Sequence, residues 1–268
     1  MTHSNASVTT RAKWIALGAA LFLAGCGTSP PENISLPSPG AAATASAGEL
    51  DVDKIEWKRE KPGCRDQCPQ IDVESVAFPG DPALTGFVDH ALAAMTELDT
   101  NVGVPYQTLA EFEPYYWRTA RPRDQTVLRA QVLRQTGGLV VLELDSYVFT
   151  GGAHGIPATQ YINWDRGNSR PLSLGDVLEP GRSDAYVEAL TRAHAEWLKT
   201  NPDAQDNPTA YNKLWPFMPS ANYALGEDGL IVKYDAYSIA PYSHGQPELT
   251  IPYAELRGIL RPAYLPAN

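Results

Sequence analysis

The chain has only three cysteines and five histidines in 268 residues, and its 21 basic residues are outnumbered by 31 acidic ones. Each scarcity excludes something. A formal net charge of −10 makes the chain a poor ligand for nucleic acid, whose phosphates it would repel. So few cysteines leave no set of four for a structural zinc. No G-x-S-x-G elbow, S-x-x-K, P-loop, G-x-G-x-x-G or H-E-x-x-H occurs anywhere in the chain. No cofactor and no resident metal are therefore expected, and no enzyme activity has a motif behind it. Apolar runs are short as well. Beyond the first 25 residues none approaches the length needed to cross a bilayer.

What is present begins with an address. Residues 1–13 carry Arg11 and Lys13 and no acid, Trp14 to Leu23 form a short apolar run, and Leu23-Ala24-Gly25-Cys26 follows. A basic start, a short apolar stretch and small residues describe a secretory signal. The cysteine after Leu-Ala-Gly resembles the bacterial lipobox, which implies that residues 1–25 are removed and Cys26 is acylated. Gly27 in place of Asp is similar to an outer-membrane sorting signal. The expectation is a protein held on the periplasmic side of the outer membrane by lipid alone. Loss of residues 1–25 takes away Arg11 and Lys13 and no acid, so the net charge moves from −10 to −12.

Residues 26–50 read as the acylated cysteine and a tether. Gly27 to Glu49 is rich in Pro, Ser, Ala and Gly and too poor in large apolar side chains to fold. As a flexible coil it reaches on the order of 25 Å. Cys64 and Cys68 lie four residues apart in an exported chain, close enough to bridge across one turn. A loop so small adds only about 2 kcal/mol on the loop-entropy account.

The periodicity predicts an α+β fold, a mostly antiparallel sheet packed with helices. A strand is expected over Ile71–Phe78. A helix follows from the Asp81 cap and Pro82 to Leu98, with Leu84, Phe87, Val88, Ala91, Leu92, Met95 and Leu98 at helical spacing. Val127–Gln135 and Leu139–Phe149 read as a hairpin, and Gln160–Trp164 as a strand ending in the turn Asp165–Asn168. A second helix is expected from Ser183 or Asp184 to Lys199. Asn201–Pro219 reads as a long surface loop. Short strands follow at Tyr223–Leu225, Leu230–Tyr234 and Leu249–Ile251, and a closing helix at Pro252–Leu260. Two weakly separated modules are drawn at residues 51–125 and 126–268.

The stretch "YVFTGGAHG", Tyr147 to Gly155, surrounds one histidine with small residues straight after a strand. Glycine allows backbone conformations closed to other residues and close approach by another chain. Such a loop can serve as a tight crossover, a small anion-binding concavity or a docking surface. His154 and His244 both precede a glycine in a predicted loop; meeting in space, they could serve a metal or a hydrolytic site. His90 and His194 fall within predicted helices and read as packed or solvated.

"YVFTGGAHG" with "YINWDRGNSRPLSLGDVL" after it, and "GLIVKYDAYSIAPYSHGQPELTIPYAEL" near the end, resemble the extracellular domain of RsiV-type anti-sigma factors and the non-catalytic module of the deacetylase PdaC. The likeness covers roughly Ile71 to Leu260. It implies a mixed antiparallel sheet with helices and a surface that recognises a lysozyme-like muramidase, another cell-wall protein or a peptidoglycan fragment. Sigma-factor binding does not carry over, because the membrane helix and cytoplasmic part of that family have no counterpart here. The binding residues it points to are Thr150, Gly151, Gly152, Ala153, His154 and Gly155 in one loop, and Tyr237, Tyr242, His244 and Gly245 in the other. The rival readings are a hydrolase or metal-dependent cell-wall enzyme using His154 and His244, and a structural envelope lipoprotein without a discrete ligand.

Overall fold

A computed structural model describes residues 48–98 and 103–266. Cys26, the signal segment and most of the tether lie outside the described residues. The chain folds as α+β, with a six-stranded sheet in the order β1-β2-β3-β4-β5-β6 and a three-stranded sheet β7-β8-β9.

In the first sheet β1 (Asp53–Glu60) and β2 (Gln70–Ala77) form an antiparallel hairpin. The hairpin connection carries the Cys64–Cys68 disulfide. β3 (Gln125–Thr136) then lies parallel to β2, the one parallel pair among the described strands of this sheet. A parallel neighbour requires a crossover, and it is made by α1 (Pro82–Ala94) and α2 (Leu109–Thr119). β4 (Leu139–Phe149), β5 (Ile156–Asp165) and the two-residue β6 (Arg170–Pro171) complete the sheet antiparallel.

α1 begins where the sequence predicts. Asp81 accepts from the Leu84 N–H at 2.9 Å, and its other oxygen accepts from the Trp164 indole at 3.0 Å, so one carboxylate caps the helix and fixes it to β5. The helix stops at Ala94, short of the predicted Leu98. α2 has no counterpart in the sequence reading because Pro114 lies inside it. Its start is nonetheless well made, with Thr108 accepting from the Glu111 N–H. The strand β1 is likewise unpredicted, since only Ile55 and Trp57 carry an apolar alternation in an otherwise charged segment. Asn201–Pro219, expected as a loop, holds α5 (Pro202–Asp206) and α6 (Pro208–Leu214). Both open on an Asn-Pro pair whose asparagine caps the first turn, a start signal that proline-rich composition obscured. The predicted closing helix is a single 3-10 turn, Tyr253–Leu256, because Pro252 ends β9 (Glu248–Pro252).

Two hydrophobic cores flank the shared strands β4 and β5. Alternation along β4 sends Val140, Leu142 and Leu144 against α1 and α2, with Ile71, Leu84, Leu92, Leu128 and Trp164. Val141 points the other way, into a core with Tyr161 and the second sheet, β7 (Tyr223–Leu225), β8 (Gly229–Lys233) and β9. α4 (Ser183–Leu198) covers that core with Tyr186 and Leu190. The short helix α3 (Leu174–Val177) precedes it. Burying each such side chain contributes about 1.5–3 kcal/mol of transfer free energy. Asn163, 2 % exposed, stitches the sheets: its amide donates to Tyr223 O at 2.7 Å and accepts from Leu225 N at 2.8 Å. The first sheet runs straight across residues 125 and 126, where the sequence reading divides the chain. The tether ends earlier than its composition suggests. Leu50 exchanges hydrogen bonds with the Gln135 side chain, and Arg166 holds Gly48 O.

Candidate functional site

β4 runs into the Thr150–Gly155 loop, and the chain returns as β5. Gly155 is the hub of that loop. Its N–H donates to the Tyr147 hydroxyl at 2.9 Å, and its carbonyl lies 2.9 Å from His154 Nδ1 and 3.3 Å from the Tyr242 hydroxyl. A carbonyl only accepts, so both of those groups donate to it, and His154 carries its proton on Nδ1. The other nitrogen, Nε2, lies 3.2 Å from the Tyr237 hydroxyl, within hydrogen-bond distance. The His154 ring also stacks on Tyr242, centroids 3.7 Å apart. Loops more than eighty residues apart in sequence thus share one aromatic cluster.

The second loop joins β8 to β9. Tyr234 N to Pro247 O closes its base, and Asp235 pins it to β5 by accepting from Thr159 N at 3.0 Å. Tyr237 adopts a left-handed backbone, φ 70°, which costs a non-glycine residue on the order of 1–3 kcal/mol. That conformation holds its ring outward, 53 % exposed, beside Tyr242 and over Trp215 at 6.3 Å. Trp215 lies in the stretch expected to be a long surface loop. The signal for it was present: "LWPFM", Leu214–Met218, packs apolar residues into an otherwise polar segment. Ile156, which follows Gly155, and Leu214, which precedes Trp215, add exposed apolar surface at 53 % and 71 %.

The remaining expected residues divide. Thr150, Gly151, Gly152 and Ala153 are exposed, with Gly151 and Gly152 at φ 100° and 93° and open space where a Cβ would stand. Gly245 closes the Tyr242–His244 turn at φ 65°. His244 faces away from this group of rings. Its Nε2 lies 3.2 Å from Asn201 Oδ1 and 3.6 Å from the Asp203 carboxylate, tying the loop to the start of α5. His154 and His244 therefore engage different partners. The two ring nitrogens of His154 meet a carbonyl and a phenol, and no carboxylate. Among the described residues no group of three or more His, Cys, Asp or Glu is placed to hold a metal ion.

Other motif residues serve the fold. Asp165 organises its turn by accepting from Gly167 N and Asn168 N. Asp176 receives two bonds from Arg170 and two from Ser173, and these hold its carboxyl well below the usual range, Arg170 contributing most. Lys233 on β8 lies between Glu143 and Asp145 of β4. Burial opposes its charge, but those carboxylates together with Glu248 outweigh the burial and raise its pKa. Burial and the same three carboxylates push the Tyr161 phenol up as well, so it stays a donor, to Glu248 at 3.3 Å.

The family described as "Protein of unknown function (DUF3298)" matches residues 175–254, a range that includes Trp215, Tyr237, Tyr242 and His244 and leaves out the Thr150–Gly155 loop. The peptidoglycan-N-acetylmuramic acid deacetylase PdaC of Bacillus subtilis is 27 % identical over 146 residues, 53 % of this chain and 31 % of PdaC; the chain thus spans about a third of that relative. The crystal structure of a DUF3298 family protein from Bacteroides fragilis shares the fold, with a TM-score of 0.63 at 22 % identity over 80 % of this chain and 94 % of that one. The crystal structure of a DUF3298 family protein from Pseudomonas aeruginosa superposes with a TM-score of 0.75 at 39 % identity, covering 82 % of this chain and 99 % of that one. By that identity across essentially the whole of a solved member, the chain belongs to the DUF3298 family.

Proposed function

We propose that the protein is a non-enzymatic docking module of the cell envelope, whose ligand rests on the aromatic platform of His154, Tyr237, Tyr242 and Trp215. The observation that carries this reading is the joining of the two motif loops into one exposed cluster, with Tyr237 kept in a costly backbone conformation. The exposed rings of His154 and Tyr237, backed by half-buried Tyr242 and Trp215 and a hydrogen-bonded hub, give contact area at small entropic cost, which is what interface anchors need. A lysozyme-like muramidase is the favoured ligand, as for the RsiV-type domains the sequence resembles, and an acidic chain suits a basic partner. A peptidoglycan fragment is the second candidate, favoured by the relationship to a peptidoglycan deacetylase. The proposal includes acylation of Cys26 and an outer-membrane address facing the periplasm, with lipid as the only membrane contact.

Titration calorimetry with a C-type lysozyme, and separately with soluble peptidoglycan fragments, tests the ligand. Tyr237→Ala and Trp215→Ala should each weaken binding at least about tenfold, the loss of an interface anchor. No heat with either titrant would reject the ligand assignment, and unchanged affinity in both variants would reject the platform. Cys26→Ser should yield an unprocessed or mislocalised chain; normal membrane retention of that variant would end the lipoprotein proposal.

A further inference from the structure

β1 is the outer strand of the first sheet, paired with β2 on one side and, among the described residues, with no strand on the other. All eight of its residues are exposed except Trp57, which is half-buried. The hydrogen bonding fixes which groups face the open edge. Lys61 N donates to Pro69 O at 3.0 Å, continuing the register Glu60↔Gln70, so the odd-numbered residues of β1 bond to β2. Antiparallel pairing alternates residue by residue. Lys54, Glu56, Lys58 and Glu60 therefore present their N–H and C=O groups outward, and these four alternate in charge.

We propose that this edge pairs antiparallel with the same edge of a second copy, about a two-fold axis at Trp57, joining the two sheets. In that register Lys54 faces Glu60, Glu56 faces Lys58, and the same pairs recur across the axis. Every outward-bonding residue meets an opposite charge. Moving the axis by one residue reverses this: centred on Glu56, that residue faces itself and Lys54 faces Lys58; centred on Lys58, that residue faces itself and Glu56 faces Glu60. Registers centred between residues place outward-bonding residues opposite inward-bonding ones and make no ladder. Charges on an edge strand normally guard against pairing. Of the registers centred on Glu56, Trp57 and Lys58, only the Trp57 one is free of like-charge pairs, and it is the one that engages all four outward-bonding residues.

The opposite face agrees. At the axis the two Trp57 rings meet at a non-hydrogen-bonded position, where side chains come closest, and Ile55, 39 % exposed, faces Arg59 of the second copy. Arg59 already lies over its own Trp57 ring at 4.6 Å, so the symmetric junction stacks guanidinium and indole groups in layers.

Sedimentation velocity of the full chain tests the register. The side chains to be changed, Glu56 and Lys58, are 61 % and 57 % exposed, so both variants should fold. The parent should show a reversible dimer. Glu56→Lys alone, and Lys58→Glu alone, set like charges opposite one another twice per dimer and should each raise the dissociation constant at least about tenfold. Mixing the two variants restores opposite charges at every position, and the mixture should form a heterodimer about as tightly as the parent forms its homodimer. A parent that stays monomeric, variants that dimerise as the parent does, or a mixture no tighter than its components would each overturn the proposal.

Discussion

Substituting Gly155 by alanine puts the steric demand of the site to a quantitative test. A Cβ there would stand 2.5–2.8 Å from three atoms of the Tyr147 ring, far inside ordinary van der Waals contact. The ring must move by about 1 Å or the loop must lift, and overpacking of this kind costs about 1–3 kcal/mol. Either movement also loosens the bond from Gly155 N to the Tyr147 hydroxyl, worth about 0.5–1.5 kcal/mol net. The sum is a destabilisation of about 1.5–4.5 kcal/mol, read as a lower urea midpoint at unchanged slope. The Gly155 carbonyl holds both His154 and Tyr242, so ligand binding should weaken too. Tyr147→Ala supplies the control. With the ring gone, Gly155→Ala should cost less than about 1 kcal/mol, a strong non-additivity. Equal cost in both backgrounds would falsify the ring-contact argument, and a Gly155→Ala chain as stable as the parent would do so outright.

Gly152→Val bears on the glycine that composition singles out: no atom lies near the added side chain, so only its φ of 93° matters, at about 1–2 kcal/mol. Binding should nonetheless fall further in Gly152→Val than in His154→Ala if backbone approach at the loop is the contact, and calorimetry on the two variants decides it. His194 is buried at 4 % with Nε2 unpartnered, and burial lowers its pKa below the ordinary 6.5. The unfolded chain takes up a proton below pH 6.5 that the folded chain resists, so this group leaves stability intact above 6.5 and erodes it as pH falls. His194→Leu should gain relative stability as pH is lowered from 7 to 5 in parallel denaturation series; a pH-independent difference would contradict the burial argument. Reducing the Cys64–Cys68 disulfide should cost about 2 kcal/mol, measured by urea midpoints with and without reductant, because the closed loop is short. Asn163→Leu deprives Tyr223 O and Leu225 N of partners between the sheets and should cost about 2–4 kcal/mol, with near-ultraviolet circular dichroism reporting loosened packing.

Periodicity alone located β4, α4 and the second half of β5, Gln160–Trp164, because each buries apolar side chains whose spacing survives in one dimension. The first half of β5, from Ile156, lay outside the expected strand. Caps did the same for α1, whose Asp81-Pro82 start is a local device. The Cys64–Cys68 pair was equally legible, since four residues of separation permit little else. Elements stabilised by their neighbours were not: α2 carries an internal proline, and β1 keeps only two alternating apolar residues, Ile55 and Trp57, because it lies on an edge with most of its side chains in water. The sequence also named both loops of the platform, yet it could not say which residues meet. That His154 stacks on Tyr242 while His244 turns to Asn201 depends on how β5, α5 and the β8–β9 loop converge. Trp215 joins the cluster for the same reason, from a segment whose prolines read as loop. Local chemistry is written in consecutive residues. Which distant side chains share a surface is decided by packing around two cores, where burial selects one arrangement among many that the pattern alone allows.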